Sequence, residues 1–135
     1  LRNKTVTLTR GTDRIHLGGA GDFWEDHFDI QPVFRNVPDD EFRILLAHNP
    51  DSVDSIDGSP MDLVLSGHTH GGQIVLPFVG ALKLPVKNKI YSQGLIPTKN
   101  GPVFISRGIG TAILPIRFNC PPEIAILELH NSQNS

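Results

Sequence analysis

The sequence predicts an α/β fold with a β-rich second half, and three features of the 135-residue chain support this. Two apolar runs of strand length in the middle of the chain are joined by a segment that fits a short helix. The 13 glycines and 11 prolines are spread along the chain, which favours short elements joined by turns. Several short β-type segments follow, so the simplest architecture is two packed sheets.

The first segments predict a hairpin, a loop and a short helix. Thr5 to Thr9 alternates and is rich in β-branched residues, and Arg14 to Leu17 resumes the strand pattern after the turn at residues 11–13. Residues 18–22 (GGAGD) end that strand in a loop, and Asp29 to Asn36 fits a short helix.

The middle of the chain predicts two parallel strands. Phe42 to Ala47 and Asp62 to Leu65 have the apolar pattern of buried central strands. Between them, Asp51 or Ser52 is expected to cap a short helix that runs to Ile56. Parallel strands joined by a helix end at the same edge of the sheet, which is where ligands bind in open α/β sheets.

The second half predicts four short, mainly antiparallel strands: Tyr91 to Ile96, Pro102 to Ser106, Ile113 to Phe118 and Ile124 to Leu129. We expect residues 1–130 to belong to a single domain and the polar residues 131–135 to form a flexible tail.

Composition excludes several classes of protein. With 39 % hydrophobic and 19 % charged residues the chain is globular, and a net charge of −2 gives no signal of nucleic-acid binding. A single cysteine, Cys120, excludes internal disulfides and Cys-rich zinc sites. The chain starts at Leu1, so we expect it to be part of a longer protein (the parent protein). Any membrane contact is then expected only through a segment upstream of Leu1.

Three histidines follow the two central strands and are candidate metal ligands. His48 comes just after the first strand, and His68 and His70 come after the second, among glycines 67, 71 and 72. Neutral imidazole is the commonest protein metal ligand, and glycine lets backbone approach an ion or a phosphate. The alternative is that these histidines cap strand ends by bonding to loop carbonyls.

Other residues have two interpretations each. Arg107 follows a strand and either holds a phosphate or pairs with a carboxylate. The acidic side chains near Trp24 form a solvated loop, or one of them orients an imidazole; they are Asp22, Glu25, Asp26 and Asp29. Cys120 has no evident basic partner and is interpreted as a buried, inert thiol.

Residues 46–51 (LAHNPD) and 67–73 (GHTHGGQ) resemble motifs of the calcineurin-like metallophosphoesterases, in their bacterial branch of membrane-associated phosphohydrolases. Further stretches fit that branch: residues 13–15 (DRI), 21–25 (GDFWE), 76–78 (LPF), 106–111 (SRGIGT) and 117–123 (RFNCPPE). The resemblance covers nearly the whole chain, and the combination of motifs is much more specific than any one of them.

The resemblance implies a four-layer α-β-β-α sandwich and hydrolysis of phosphate esters, phosphodiesters or pyrophosphates, at a dinuclear metal centre. It places His48 and His68 on the second metal ion and His70 on the first, with manganese, iron or zinc as the metals. We also expect Arg107, Asn49 and Gly71 to contact the substrate.

Three motifs of the family are missing: Asp-x-His, Gly-Asp-x-x-Asp and Gly-Asn-His-Asp/Glu do not occur in residues 1–135. Gly21-Asp22 does not supply the second, since residues 23–25 read FWE. We therefore interpret the chain as the carboxyl-terminal half of a metallophosphoesterase domain, inactive alone and with partial or no metal occupancy, whereas the full-length enzyme would hold two divalent ions. Its partner would be the missing amino-terminal half, and the isolated chain is expected to self-associate. The alternative is a non-catalytic metal-binding or interaction module that retains the scaffold.

Overall fold

A computed structural model of the chain describes residues 1–25, 28–56, 58 and 61–130. It is a mixed α/β fold built on a six-stranded sheet with few, short helical segments, which confirms the predicted class. Within the described residues, the helices are too short and not apolar enough to cross a bilayer. The polar tail predicted at residues 131–135 lies outside the described residues.

The strands of the large sheet are β1 (Lys4–Arg10), β2 (Asp13–Gly19), β3 (Phe42–Leu46), β4 (Leu63–Ser66), β7 (Gly94–Ile96) and β8 (Val103–Ile105). Their order across the sheet is β1-β2-β3-β4-β8-β7. The predicted hairpin of β1 and β2 is confirmed, as is the parallel pairing of β3 with β4. Strand β3 also pairs in parallel with β2, and β4 with β8, whereas β7 runs antiparallel to β8.

The core lies against the three central strands. Leu45 of β3, Val64 of β4 and Val103 of β8 are fully buried. Their neighbours are apolar because a parallel strand in the middle of a sheet is covered on both faces. This burial fixes β3 and β4 side by side and so determines where the loops after them emerge.

Helix α1 (Gln31–Phe34) falls within the predicted segment and covers the start of the sheet. Val33 and Phe34 are its buried residues. They pack directly on Gly18 of β2, where a Cβ atom would clash with both side chains. The close contact explains why glycine occupies this strand position.

The segment between β3 and β4 is a 3₁₀ helix, Pro50–Ser55. The residue predicted to cap it was wrong. Asn49, not Asp51 or Ser52, is the capping residue, and its Oδ1 accepts a hydrogen bond from the Asp51 amide at 2.9 Å. Proline is favoured in the first helical position, which places the cap directly before Pro50.

Two strands predicted in the second half were wrong. Residues 113–118 and 124–129 form no strand, and the only ladder contact there is an isolated bridge between Phe118 and Ile74, as far as the described residues go. A β-type segment becomes a strand only when another strand satisfies its backbone groups. Here the apolar side chains stay exposed, with Ile113 at 89 % and Ile126 at 86 %.

The predicted strand at 91–96 is shortened to β7, while the strand predicted at 102–106 is confirmed as β8. The antiparallel pairing predicted for the second half is confirmed only between β7 and β8, because β8 also pairs in parallel with β4. A small hairpin of β5 (Val75–Leu76) and β6 (Gly80–Ala81) forms a second sheet. Its two-residue strands are too short to show the alternation of apolar and polar residues by which a strand is predicted from sequence.

Candidate metal centre

The loops after β3 and β4 emerge side by side at one edge of the large sheet. The strands are in register, with Leu46 opposite Leu65, and the Gly67 amide donates to the His48 carbonyl at 3.2 Å. His48 and His68 each lie two residues beyond the end of their strand. The prediction that these histidines lie close together is confirmed.

His48 and His68 are hydrogen-bonded to each other. Nε2 of His48 lies 2.8 Å from Nδ1 of His68, and the ring centroids are 4.6 Å apart. One nitrogen donates and the other accepts, so the pair cannot carry two protonated rings in this arrangement. Burial, and next the charge of His48, hold the pKa of His68 below its usual range. In the described part of the chain, the buried Nε2 of His68 has no partner with hydrogen-bond geometry, although the Pro85 carbonyl lies close enough to the ring to oppose the lowering of its pKa.

Trp24 and Asp22 lie beside this pair. The indole of Trp24 packs edge-on to the His68 ring at 4.9 Å. The Asp22 carboxylate accepts hydrogen bonds from the amides of Glu25 and Trp24, which lower its pKa, and the charges of His48 and His68 lower it further. Asp22 is thus the acidic residue near the imidazoles, although its hydrogen bonds go to backbone. Asp26 of the predicted acidic group lies outside the described residues.

His70 enters the same region from a short 3₁₀ helix, His70–Gly72. Its Nδ1 lies 3.4 Å from the Gly110 carbonyl oxygen. A carbonyl oxygen only accepts, so Nδ1 carries the proton of the neutral ring and Nε2 keeps its lone pair. This contact matches the loop-carbonyl alternative, and it is also how metal-binding histidines are usually oriented.

All three histidines line one cavity of about 460 Å³. Most of its remaining wall is apolar, and Lys83 contributes a cation. The apolar part comprises Ile74, Leu82, Pro85, Ala112, Ile113 and Leu114. The cavity therefore combines three imidazole rings with a largely apolar wall.

The glycines after His70 serve close packing of the protein with itself. At Gly71, where φ is +61°, a Cβ atom would lie 2.7 Å from both Arg107 Cγ and Cys120 Sγ. At Gly72 it would clash with Ala81. The space predicted for an ion or a phosphate at these two residues is filled by side chains.

Of the two partners considered for Arg107, a phosphate or a carboxylate, the structure shows a carboxylate, that of Glu123. Arg107 Nε and Nη2 donate to Glu123 Oε2 at 2.9 and 2.7 Å. Asn49 is buried as a helix cap, and its Nδ2 has no hydrogen-bond partner among the described residues. Of the residues described along the histidine-lined cavity, none is Arg107, Asn49 or Gly71.

Cys120 is buried as predicted, but it does have a basic neighbour. Arg117 Nη1 lies 3.7 Å from its Sγ. The thiol donates to the carbonyls of His70 and Gly71 at 3.3 and 3.4 Å. The thiol therefore helps to hold the turn that carries His70.

Two residues with extensive contacts were missed by sequence analysis. Gln73 fixes the loop at 112–114 through three hydrogen bonds, to the Ala112 amide and to the carbonyls of Ala112 and Leu114. Arg117 donates to several carbonyls around His70. The one available signal was a single arginine between the apolar residues Ile116 and Phe118.

The donor set fits part of a metal site. Within the described residues, no three His, Cys, Asp or Glu side chains converge closely enough to hold an ion. Two nitrogen ligands on one ion lie roughly 3.0–3.4 Å apart when metal–nitrogen bonds are ~2.1 Å. The 2.8 Å separation of His48 Nε2 and His68 Nδ1 is close to this value. The pair can supply two ligands, and a complete site requires more.

The chain is similar to several bacterial proteins. It is 36 % identical over 129 residues to the uncharacterized metallophosphoesterase YkuE of Bacillus subtilis, covering 96 % of this chain and 45 % of that protein. It is 38 % identical over 130 residues to the phosphodiesterase YaeI of Escherichia coli, with 96 % and 46 % covered. It is 37 % identical over 135 residues to the UDP-2,3-diacylglucosamine pyrophosphatase LpxG of Chlamydia muridarum, with 94 % and 40 % covered.

The chain thus spans about half the length of the curated relatives it matches. No family model matches the sequence. No solved structure matches it either.

Proposed function

The chain belongs to the metallophosphoesterases, and on this premise we propose that its parent protein hydrolyses phosphate esters with divalent metal ions bound at the histidine edge. The observation that supports this most directly is the hydrogen-bonded pair of His48 and His68 at the carboxyl ends of β3 and β4. A purely structural role explains it less well, since the Nε2 atom of His68 is buried with no partner in the described residues.

We propose that His48 and His68 are ligands of one ion and His70 of a second, with manganese, iron or zinc as the metals. When bound, two such ions lower the pKa of a water molecule and stabilise charge on the attacked phosphorus. This chain contributes the lone pairs of its imidazole nitrogens as metal ligands. Before an ion binds both facing nitrogens, the histidine that donates within the His48–His68 pair must carry its proton on its other ring nitrogen, and the lowered pKa of His68 favours the neutral form of that ring.

The ligand set within this chain is incomplete. No carboxylate joins the three imidazoles in the described part of the chain, and a bridging ligand is needed to hold two ions close together. We propose that the remaining ligands come from an amino-terminal half of the parent domain. The length of the relatives, about twice that of this chain, supports this. The isolated chain is accordingly proposed to be inactive.

The substrate is proposed to be a phosphodiester or a pyrophosphate. Two relatives support this class through their names, one as a phosphodiesterase and one as a pyrophosphatase. We propose that Arg107, Asn49 and Gly71 support the loops rather than touch the substrate. Their contacts are already made with Glu123, the Asp51 amide and the Arg107 and Cys120 side chains.

A second candidate function is a non-catalytic metal-binding or interaction module. The observation that favours it is that, in the described residues, no three ligand side chains converge. The reading frame upstream of Leu1 separates the two functions. Asp-x-His and Gly-Asn-His motifs within ~150 residues, a one-domain length, support the enzyme, and their absence there supports the module.

Elemental analysis of the purified parent protein tests the metal assignment. The proposal expects up to two divalent ions per chain and a loss of bound metal in His68→Ala. His130→Ala, which changes an exposed histidine outside the cavity, is the matched control. Equal metal content in the wild-type protein and His68→Ala would contradict the assignment.

A further inference from the structure

We propose that Arg117 is a positioning residue for His70, because it holds the loop carbonyl that fixes the tautomer of the His70 ring. The consequence for metal binding rests on the proposed ligand role of His70. The geometry itself involves only residues of this chain.

The Arg117 guanidinium lies at a point where three segments meet, and it donates to five backbone carbonyls. Nη2 reaches Gly110 at 2.6 Å, Arg107 at 2.7 Å and Gly108 at 3.1 Å. Nη1 reaches the carbonyls of His70 and Cys120, each at 3.2 Å. In the described part of the chain no carboxylate forms an ion pair with it. The guanidinium therefore acts on loop backbone rather than on a charge partner.

The carbonyl of Gly110 is the shared element. It accepts hydrogen bonds from Arg117 Nε at 3.0 Å and Nη2 at 2.6 Å. The same oxygen lies 3.4 Å from Nδ1 of His70. Because this oxygen can only accept, its position determines that Nδ1 bears the proton and that Nε2 is free to bind an ion.

The backbone of His70 is held by the same guanidinium. His70 has φ +51°, a left-handed conformation that a non-glycine residue keeps only when its surroundings impose it. Its carbonyl oxygen accepts hydrogen bonds from Arg117 Nη1 at 3.2 Å and from the Cys120 thiol at 3.3 Å. Arg117 thus fixes both the main chain of His70 and the acceptor for its ring.

The geometry requires an arginine. A planar guanidinium offers five N–H donors in a fixed fork, whereas a lysine ammonium is a compact charge with three donors. Lysine at position 117 can keep the positive charge but cannot reach all five carbonyls at once. We therefore expect Arg117→Lys to retain only part of the effect.

The test measures the His70 tautomer in the metal-free chain. Long-range ¹H–¹⁵N correlation spectra of the neutral ring report which ring nitrogen carries the proton. We expect the Nδ1–H form in the wild-type chain. In Arg117→Gln we expect the ratio of Nδ1–H to Nε2–H to fall by about two- to tenfold, the effect of losing one hydrogen bond.

Arg43→Gln is the control, because Arg43 is a buried arginine that, like the half-buried Arg117, donates to a backbone carbonyl, that of Val37 at 2.9 Å, and it also pairs with Asp39. It should leave the His70 tautomer unchanged. An unchanged ratio in folded Arg117→Gln, or an equal change in Arg43→Gln, would overturn the proposal. If Arg117→Gln does not fold, the same ratio is measured in Arg117→Lys. An unchanged ratio of Nδ1–H to Nε2–H in folded Arg117→Lys would then overturn the proposal.

A second readout separates this proposal from the proposed function. Mn²⁺ alone is titrated into the ¹⁵N-labelled parent protein, which is proposed to supply the ligands that this chain lacks, and paramagnetic broadening of His48, His68 and His70 is followed. We expect Arg117→Gln to need about 10–100-fold more Mn²⁺ to broaden His70, as for other residues that orient a ligand. Broadening of His70 at the same Mn²⁺ concentration in both proteins would overturn the metal part of the proposal. If Mn²⁺ broadens none of the three histidines, the proposed function fails and the tautomer result still stands.

Discussion

His48 and His68, 20 residues apart in sequence, share a hydrogen bond between Nε2 and Nδ1 at 2.8 Å. Two parallel strands bring them together, since β3 and β4 end in register and each strand is followed by its histidine. Two imidazole nitrogens at this distance can share either one proton or one metal ion.

The stability of the chain should fall as the pH drops below about 6.5. His68 has a lowered pKa in the folded state, so between that pKa and 6.5 the unfolded chain binds more protons. Stability is therefore present above 6.5 and is lost as the pH falls through the folded-state pKa. Burial is the largest cause of the lowered pKa of His68, and the charges of His48 and His70 add to it, whereas the Pro85 carbonyl and the Asp22 carboxylate oppose it. Urea unfolding of the metal-free chain over this pH range measures the effect.

His68→Ala should reduce this pH dependence, and His130→Ala, a change at an exposed histidine, should not. The same slope in wild type and His68→Ala would show that other groups cause the acid sensitivity.

Leu45→Ala should destabilise the chain by about 2–5 kcal/mol, because it leaves a cavity in the middle of the sheet. Leu45 is 0 % exposed, whereas Leu95 of β7 is 62 % exposed. The matched change Leu95→Ala should cost less than about 0.5 kcal/mol. Denaturant unfolding compares the two, and similar losses of stability would contradict the burial of β3.

Gly18→Ala should destabilise by about 1–3 kcal/mol, since the added methyl group would clash with Val33 and Phe34. Gly67→Ala is the control, because a Cβ atom at Gly67 meets nothing within 4 Å. If the thermal midpoints of both variants equal that of the wild type, α1 does not pack on β2 as described.

The isolated chain should self-associate. Strand β1 is an edge strand that exposes Val6 and Leu8, and Ile113 and Ile126 are also exposed. Apolar surface of this kind tends to be covered by another chain. Light scattering over a concentration series should give a dimer or a larger species, and a monomeric mass at every concentration would contradict this.

The sequence predicts the central sheet well because its information is local. A buried parallel strand needs an apolar run, and residues 44–47 (ILLA) and 63–65 (LVL) supply it. The histidines follow those runs directly, so their proximity could also be predicted. The segment at 124–129 has the same local character, but it forms no strand, because strand formation depends on a partner that the segment itself does not encode.

Long-range polar contacts could not be predicted. Arg107 pairs with Glu123, 16 residues away, and Arg117 contacts the His70 carbonyl across 47 residues. Neither pairing produces a periodic pattern, so the sequence leaves the partner of each arginine open. The packing around Gly71 was likewise not predictable, because the Arg107 and Cys120 side chains that lie against it are distant in sequence.

The most direct test of the central claim is hydrolysis of a chromogenic phosphodiester by the parent protein in the presence of Mn²⁺. We expect metal-dependent turnover in the wild type and in His130→Ala, and a loss of kcat/KM of at least about 100-fold in His68→Ala, since a ligand should matter at least as much as a residue that orients one. Turnover that persists in His68→Ala, or that does not depend on the metal, would contradict the account.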